Sequence, residues 1–505
     1  GAYSLSNLSE LLPSGGGQNE VDFVASGTLP NGQAVILNSD GTVTAVAESS
    51  GTGAVIPSSS SPQTLSTYSD AYFSSAFSPN TANVFVLAFR NGATGTRTGA
   101  CVVGTVSGTT ISFSTKYIFS SSDVYYIDIA FDPDNPTKFV IAYTDASTSA
   151  GTCKIGTLSG TSISYGSAVT FGGGSSQVDS SVDFISSGTF VVAYVNYNSG
   201  YSGKVIQGDV SGTSISLSAS AVFISVYFAY ISLKADPNAT NIFVIGYKKS
   251  SGGSEGLTIV GTYSSSSNTI TYGTPTVFLS RSTGAGVSLS FDPNTTNKFA
   301  IAYEDEGVAF EARIGTRSGT SITFGTAVSI SPSGGRANFF SISYNPHTAN
   351  QFVIAYRDQG NSDYGTATVC TVSGSTITAG TSYVYNAYDS KYNSLAFDPS
   401  TSSKFIVAFY SATGSGAAIL GNLQGSIVTT NLTSTNLLGI SSQAITSGAT
   451  GVINTWGGLN EGQSSLTPAS IYYVQENGTI STVSTSPAQK IGQAISATTL
   501  NILDL

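Results

Sequence analysis

The fold of this chain is indicated by a repeated segment, which in one copy reads FDPNTTNKFAIAYED from Phe291 to Asp305. It returns with variations until seven copies are present, and the aromatic residue that closes its apolar run recurs at intervals of about 50 to 56 residues. The closing aromatics are Phe89, Tyr143, Tyr194, Tyr247, Tyr303, Tyr356 and Phe409. This period is typical of propeller blades. The chain is therefore a repeat protein.

One repeat, Ser288 to Ile330, divides into four predicted strands. SLSF is a short first strand, DPNTTN a turn, KFAIAY a second strand, EARIGT a third and SITFGTAVSI a fourth. This sequence favours a turn because proline fixes its own φ angle, and because Asp and Asn side chains accept hydrogen bonds from neighbouring amides. The second strand is apolar on both faces, which is typical of a strand buried between neighbouring sheets. Each repeat therefore predicts an antiparallel four-stranded sheet.

These patterns predict an all-β fold with a seven-bladed β-propeller of four-stranded antiparallel blades at residues 51–445. Closure into a ring leaves only short, protected sheet edges. A straight β-solenoid is the alternative, but its coils are usually shorter. LPNGQAVILNSDGTVTAV from Leu29 aligns without a gap with LTPASIYYVQENGTISTV from Leu466, so we predict that 21–50 and 446–505 form one small β module. Residues 1–20 are expected to be an N-terminal arm.

Composition excludes several functions. The net charge is −10, 9% of residues are charged and no Lys/Arg run occurs, so we expect no nucleic-acid partner. No apolar stretch approaches the roughly 20 residues that span a bilayer, so we expect no membrane insertion. The cysteines, Cys101, Cys153 and Cys370, all fall on predicted third strands. Buried thiols are favoured over a disulfide or a reactive nucleophile.

Catalytic motifs are scarce. The single histidine, His347, lies in a predicted turn, so neither a His-Cys metal cluster nor a Ser-His-Asp triad can be assembled. We expect no enzyme, no cofactor and no metal. Acids that follow the second strands, including Asp305 and Asp358, leave a glycan-cleaving enzyme as an alternative. Acidic loops such as 304–306 and 358–363 are candidate Ca²⁺ ligands, but they lack regular ligand spacing and favour solvated charge.

The loops differ between repeats, and rigid repeats with variable loops commonly build binding surfaces. Loops on one predicted face are rich in tyrosine and phenylalanine, which stack on sugar rings or anchor a protein partner. The alternative is that many of these rings pack between blades. The candidate ligand-binding residues are Tyr125, Tyr201, Tyr227 and Tyr388, with Arg90 and Arg357 after two second strands.

The C-terminal segment from Gly458 to Leu503 resembles a terminal module of bacteriophage tail-fibre and other virion proteins. The shared features are Leu466-Thr467-Pro468, Tyr472-Tyr473-Val474, the Asn477-Gly478 turn and the stretch from Gly492 to Thr498. LPNGQAVILNSDGTV near the N-terminus resembles a companion segment of the same proteins. The resemblance covers about a fifth of the chain and names no catalytic residue.

The resemblance implies a protein on the virion surface whose partners are other virion proteins and a host cell-surface glycan or protein. It also implies a homo-oligomer, with a trimer as one arrangement. Three functions are consistent with this: a tail-fibre or receptor-binding protein for host attachment, a capsid or tail decoration or cement protein without a receptor role, and a glycan-cleaving enzyme. Attachment through aromatic-rich propeller loops is the favoured hypothesis.

Overall fold

The computed structural model describes residues 19–51, 55–57, 62–66, 70–92, 97–172, 179–196, 201–251, 254–306, 308–331, 334–401, 403–423, 427–433, 435–475, 478–483 and 489–503. Within these residues the protein is all-β and has no helix. The chain divides into two compact units, 52–425 and 1–51 with 426–505. The predicted N-terminal arm lies almost entirely outside the described residues.

The unit 52–425 consists of four-strand antiparallel repeats, numbered 1 to 7 along the chain. The first strands are Ala71–Phe77, Val124–Asp132, Ser180–Ser186, Phe228–Ala235, Thr283–Phe291, Ala337–Tyr344 and the last part of the long strand Thr376–Phe397. The second strands are Val84–Asn91, Asn135–Asp145, Thr189–Asn196, Ile242–Lys249, Lys298–Asp305, Gln351–Asp358 and Lys404–Ser411. The third strands are Thr98–Ser107, Ala150–Ser159, Ser202–Ser211, Glu255–Ser264, Ala309–Ser318, Tyr364–Ser373 and Ser415–Leu423.

The fourth strands are less regular than the other three. They are Thr110–Phe113 with Tyr117–Ser120, Ser162–Tyr165 with Val169–Gly172, Ser214–Ile224, Thr269–Tyr272 with Thr276–Leu279, Ser321–Phe324 with Val328–Ser329, and the first part of Thr376–Phe397. The four strands predicted for Ser288 to Ile330 are confirmed, except that the fourth is split. The split falls after Phe324, where the Gly325 amide donates to the Ile314 carbonyl and bends the chain.

Repeat 7 takes its outer strands from the opposite end of the unit. Val55–Pro57 and Gln63–Ser66, which precede repeat 1, pair antiparallel with Ser415–Leu423. The first and last parts of the unit therefore share one sheet. The sequence patterns did not predict this pairing, because these two short strands lack the apolar phrase of the repeats.

The core of each repeat lies on its second strand. The phenylalanine near the start of that strand is buried and covers a glycine of the third strand; a Cβ at Gly104 would lie 2.0 Å from Phe85 Cζ. The same pairing joins Phe139 with Gly156, Phe190 with Gly208, Phe243 with Gly261, Phe299 with Gly315 and Phe405 with Gly421. In repeat 6 the glycine is replaced by Cys370 opposite Phe352.

All three cysteines are buried and their thiols are free, which confirms the favoured prediction. Burial raises the pKa of Cys101 and of Cys153 to about 12 and that of Cys370 well above its ordinary value. A thiol with so high a pKa carries almost no thiolate near neutral pH, so these side chains act as small apolar groups.

The second unit contains two five-stranded sheets and a short strand pair. One sheet has the order Glu20–Val24, Thr450–Asn454, Leu437–Ser441, Ala34–Leu37, Val43–Ala45. The other has the order Leu459–Asn460, Leu500–Ile502, Gln489–Ala494, Ile471–Val474, Ile480–Ser481, and Glu48–Gly51 pairs with Ile427–Thr430. The two aligned hairpins share one core, in which Ala34 and Ile36 pack with Tyr472 and Val474. Leu437–Ser441, which the predicted boundaries assign to the propeller, belongs to this unit.

Candidate binding site

The turns between first and second strands connect neighbouring repeats. In repeat 7, Asp398 accepts hydrogen bonds from the Ser400 amide of its own turn and from the Asn83 amide of repeat 1, both at 2.8 Å. Asp292 does the same for Asn294 and, in the next repeat, Asn350. The Asp-Pro pattern therefore forms the turn and also joins consecutive repeats, including the last with the first.

The asparagine that recurs just before the second strand is explained by its backbone conformation. Asn83, Asn241, Asn297 and Asn350 all have φ between 61° and 64°. Asn tolerates this left-handed backbone better than most residues with a side chain. The repeated Asn thus ends the turn and starts the second strand.

A ring of hydrogen bonds links the first strands of all seven repeats. One side chain in each repeat accepts a bond from a backbone amide of the next; Ser74, for example, accepts from Ile129 at 3.2 Å. The series continues from Asp128 to Val182, Ser181 to Leu233, Ser232 to Leu289, Ser288 to Ile342, Ser341 to Leu395 and Ser394 to Ser75. Asp128 replaces serine in repeat 2. We name these seven residues the linking ring.

A cavity of about 700 Å³ lies inside the linking ring and is lined by first-strand residues of every repeat. At the turn end its wall includes Pro79, Pro133 and Pro399. At the opposite end, which we call the mouth, lie the residues two positions before the linking ring, and those of repeats 1, 2, 3, 6 and 7 line the cavity. The cavity is thus lined by equivalent first-strand positions of successive repeats.

The mouth positions have an unusual backbone. Tyr72, Tyr126, Tyr230, Phe339 and Tyr392 all have φ between 49° and 57°. At each of them two first-strand residues oppose one residue of the second strand, which is a β-bulge. A bulky aromatic at positive φ is a true outlier, and such strain is found mainly at functional sites.

Four of these rings contact one another in series around the mouth. The ring centroids of Phe339 and Tyr392 are 4.9 Å apart, those of Tyr392 and Tyr72 are 4.9 Å apart, and those of Tyr72 and Tyr126 are 5.7 Å apart. All four line the cavity. We call Phe339, Tyr392, Tyr72 and Tyr126 the aromatic arc. It presents a continuous, half-buried apolar surface made by repeats 6, 7, 1 and 2.

The other side of the cavity is charged. In repeat 3, which has no bulge here, the mouth position is Asp179, and Asp128, Asp183 and Lys234 lie further inside. Burial raises the pKa of Asp179 to about 7, and the nearby charge of Asp128 raises it further. Hydrogen bonds from the Ile231, Tyr230 and Ser180 amides act in the opposite direction and lower it. Burial also raises the pKa of Asp183. The pKa of Lys234 is raised because the charges of Asp183 and Asp128 outweigh its burial.

Of the predicted binding residues, the structure brings Tyr125 and Arg90 together beside the arc. The Arg90 guanidinium lies 4.8 Å from the Tyr125 ring centroid and 5.9 Å from that of Tyr72. Tyr201 and Tyr227 form a separate edge-to-face pair with centroids 5.1 Å apart, and both are over 40% exposed. Tyr388 is 56% exposed. The six predicted residues therefore do not form one site.

Arg90 and Arg357 also serve a structural purpose. Arg90 makes two hydrogen bonds to Asp123, at 2.6 and 2.8 Å, and Asp123 immediately precedes the first strand of repeat 2. Arg357 forms an ion pair with Asp389 at the equivalent junction and another with Asp363 at 2.7 Å. Burial raises the pKa of Asp123, but the bonds and charge of Arg90 outweigh it and the pKa is lowered overall. These arginines join neighbouring repeats.

The acids considered for glycan cleavage are buried and engaged. Asp305 is fully buried and pairs with Arg281 through an Nε–Oδ2 bond of 2.7 Å. Asp358 is 1% exposed and accepts from the Ser331 hydroxyl and the Gly360 amide. His347 lies in its turn, as predicted, with its amide bonded to Asn345.

Among the described residues, no group of three or more His, Cys, Asp and Glu side chains could hold a metal ion. The same part of the chain contains no helix that is long and apolar enough to cross a membrane. The members of the aromatic arc belong to the aromatic-rich face that the sequence predicts, but they were not among the candidate ligand-binding residues. They were visible as aromatics two residues before a recurring serine, as in Tyr392-Asn393-Ser394. A β-bulge inverts the usual alternation of side chains, so period-two reading does not place them.

No family model matches the chain, and no curated protein matches it. Among solved structures, the chain is similar to Sqt1 of Chaetomium thermophilum, with 9% identity, 74% of this chain and 99% of that chain covered, and a TM-score of 0.47. A Hadza microbial sialidase, Hz136, has 10% identity, coverage of 71% and 66%, and a TM-score of 0.44. AofleA from Arthrobotrys oligospora has 9% identity, coverage of 71% and 96%, and a TM-score of 0.41. These similarities extend to a propeller-like all-β fold only, and nothing about function follows from them.

Proposed function

We propose that this chain is a bacteriophage virion-surface protein that attaches the particle to a host cell by binding a cell-surface glycan at the mouth of the cavity. The aromatic arc is the observation that carries the proposal. Its rings lie in contact at one level of the fold, and each is held at positive φ. Strained backbone persists only where the surrounding structure enforces it, and it is concentrated at functional sites. The virion location rests on the resemblance of the segment from Gly458 to Leu503.

We further infer that the repeats form a closed seven-bladed β-propeller. Two sets of hydrogen bonds support closure, since both the linking ring and the turn aspartates connect repeat 7 with repeat 1. Pairing of Val55–Pro57 and Gln63–Ser66 with the last third strand supports it as well. A ring tied in this way holds the mouth residues in fixed positions, which lowers the entropic cost of binding.

The shape of the mouth favours a glycan over a protein. The arc rings are partly buried and line a cavity, whereas rings that anchor a protein usually belong to a broad, flat patch. Apolar faces of sugar rings stack on aromatic side chains, and hydroxyl groups of a sugar can reach polar groups inside the cavity. Arg90 lies beside Tyr72 and Tyr125, and its charge is paired with that of Asp123.

Glycine variants at the arc test this proposal. Tyr72→Gly and Tyr392→Gly copy repeat 5, which has Gly286 at the mouth position, so the backbone remains compatible with positive φ. We expect the purified double variant to lose binding to arrayed bacterial envelope polysaccharides, whereas Tyr383→Ala, in an outer strand, binds as the parent does. Binding that survives in the double variant would overturn the site. Loss of binding to protein receptors alone would make the ligand a protein.

A further inference from the structure

The ligand chemistry of the mouth can be narrowed further, because the seven mouth positions are not alike. Repeats 1, 2, 4, 6 and 7 have aromatics, repeat 5 has Gly286 and repeat 3 has Asp179. Asp179 lines the same cavity as the arc. A carboxyl group therefore stands where five other repeats place a ring.

The cavity wall is electrostatically one-sided. Among the lining residues that the structure describes, the charged ones are Asp128, Asp179, Asp183 and Lys234, so carboxylates outnumber ammonium groups by three to one. The faces of aromatic rings are also electronegative and attract cations. Among the residues that line the cavity, the carboxylates and the ring faces thus favour a positive charge over an anion.

Two buried polar groups beside the mouth have no partner among the described residues. Ser180, which follows Asp179, is 6% exposed and its hydroxyl makes no hydrogen bond. Asn393, which follows Tyr392, is 7% exposed and its Nδ2 makes none. Both residues line the cavity. Buried polar groups are nearly always hydrogen-bonded, so these two point to a polar ligand.

Resting on the proposed function, we infer that the mouth binds a glycan that carries a positively charged amino group, with Asp179 binding the ammonium and the aromatic arc packing against the sugar ring. Ser180 and Asn393 are then available to the hydroxyl groups of the sugar. Gly286 interrupts the series of aromatic mouth residues between Tyr230 and Phe339, and the Phe340 ring lies 3.2 Å from the position that a Cβ there would take. The carboxylates among the lining residues disfavour an anionic sugar at the same place.

The test uses a matched pair of probes, N-trimethylated and N-acetylated chito-oligosaccharides of equal length, with the full chain and calorimetric titration. The trimethylated probe has a fixed charge at every pH. We expect it to bind about tenfold more tightly than the acetylated probe. Asp179→Asn should remove this preference and leave the affinity for the acetylated probe unchanged, while Asp134→Asn in an exposed turn should alter neither affinity.

The outcomes separate the two proposals. If Tyr72→Gly abolishes polysaccharide binding but the probes show no preference, or Asp179→Asn does not change it, the cationic ligand is wrong and glycan binding stands. Tighter binding of a sulfated oligosaccharide would overturn the inference in the same way. If neither arc nor Asp179 variants change any binding, both proposals fail.

Discussion

The first strands have two ends that differ in kind. At the turn end, an aspartate or asparagine side chain in five repeats accepts a hydrogen bond from a backbone amide of its own turn. In the middle of the strand, every repeat contributes one hydrogen bond to the linking ring. At the mouth, the equivalent positions hold five aromatics, one glycine and one aspartate. Uniform contacts hold the repeats together, and departures from the repeat are concentrated where a ligand can reach them.

This contrast gives a rule for reading the molecule. A residue that recurs in every repeat satisfies a need that every repeat has, such as an unpaired amide at a junction. A residue that differs from its equivalents must be explained by something else. Asp128 belongs to both kinds of residue. Its carboxylate takes the place of a linking serine, and it also accepts hydrogen bonds from the Ser74 and Ser181 hydroxyls, both at 2.9 Å.

The largest expected effect comes from Asp398→Ala at the uniform end. The change removes the acceptor for two amides, one in repeat 7 and one in repeat 1, and Asp398 is fully buried. Leaving these donors unpaired should lower the free energy of unfolding by about 2–4 kcal/mol in urea titrations. Asp134→Ala in the exposed part of the turn of repeat 2 is the control. Equal effects from both variants would contradict a role of Asp398 in joining the repeats.

Gly104→Ala should have the next largest effect. A Cβ at Gly104 overlaps the buried Phe85 ring, which has little room to move. Overpacking of this kind costs about 1–3 kcal/mol, to be measured as a loss of unfolding free energy. Gly108→Ala, in a turn where a Cβ meets nothing within 4 Å but φ is 59°, separates overlap from backbone strain. A larger loss at Gly108 would mean that strain, and not overlap, dominates.

Tyr72→Gly at the mouth should leave stability nearly unchanged. The variant loses ring contacts with Tyr125, Tyr126 and Tyr392 and some packing against the core, but it also relieves an aromatic residue held at φ 54°. Each contribution is about 1 kcal/mol, and they oppose one another. Thermal unfolding should therefore shift little while glycan binding falls. A strongly destabilised variant would assign the arc to packing instead of binding.

The effect of Asp179→Asn on stability should depend on pH. The pKa of Asp179 is about 7 in the folded chain, against an ordinary value of 3.8, so the folded state holds the proton more tightly than the unfolded state. The folded state is therefore destabilised progressively as the pH rises from about 3.8 to about 7, and the loss is constant above that. The neutral variant should match the parent near pH 4 and have a higher free energy of unfolding than the parent near pH 8.

This pH prediction depends on the groups that face Asp179. Asp128, Asp183 and Lys234 line the same cavity, and Tyr230 contributes an amide bond. Asp183→Asn is the comparison variant, because its folded pKa is also raised. A parent whose stability rises relative to Asp179→Asn above pH 7 would contradict the assigned environment.

Much of the fold could be predicted from the repeats. The apolar second strands, the Asp-Pro turns and the aligned hairpins at Leu29 and Leu466 are local patterns, and the structure contains each of them. The site was predicted only in part. Tyr125 and Arg90 lie beside the arc, but Tyr201, Tyr227 and Tyr388 lie elsewhere. The sequence near a loop residue does not show which residues of other loops lie beside it.

The number of repeats, the order of strands and the position of each turn can be predicted from the sequence alone. These features depend on the alternation of side chains along a strand and on turn residues that fix the local backbone conformation. Only the tertiary structure decided which residues face the cavity, that Val55–Pro57 completes the last repeat, and that Asp179 stands opposite an arc of aromatic rings. Contacts between consecutive repeats join residues more than 50 positions apart, which local sequence patterns do not determine. At the mouth, moreover, the bulges change the side-chain direction that a regular strand would have given.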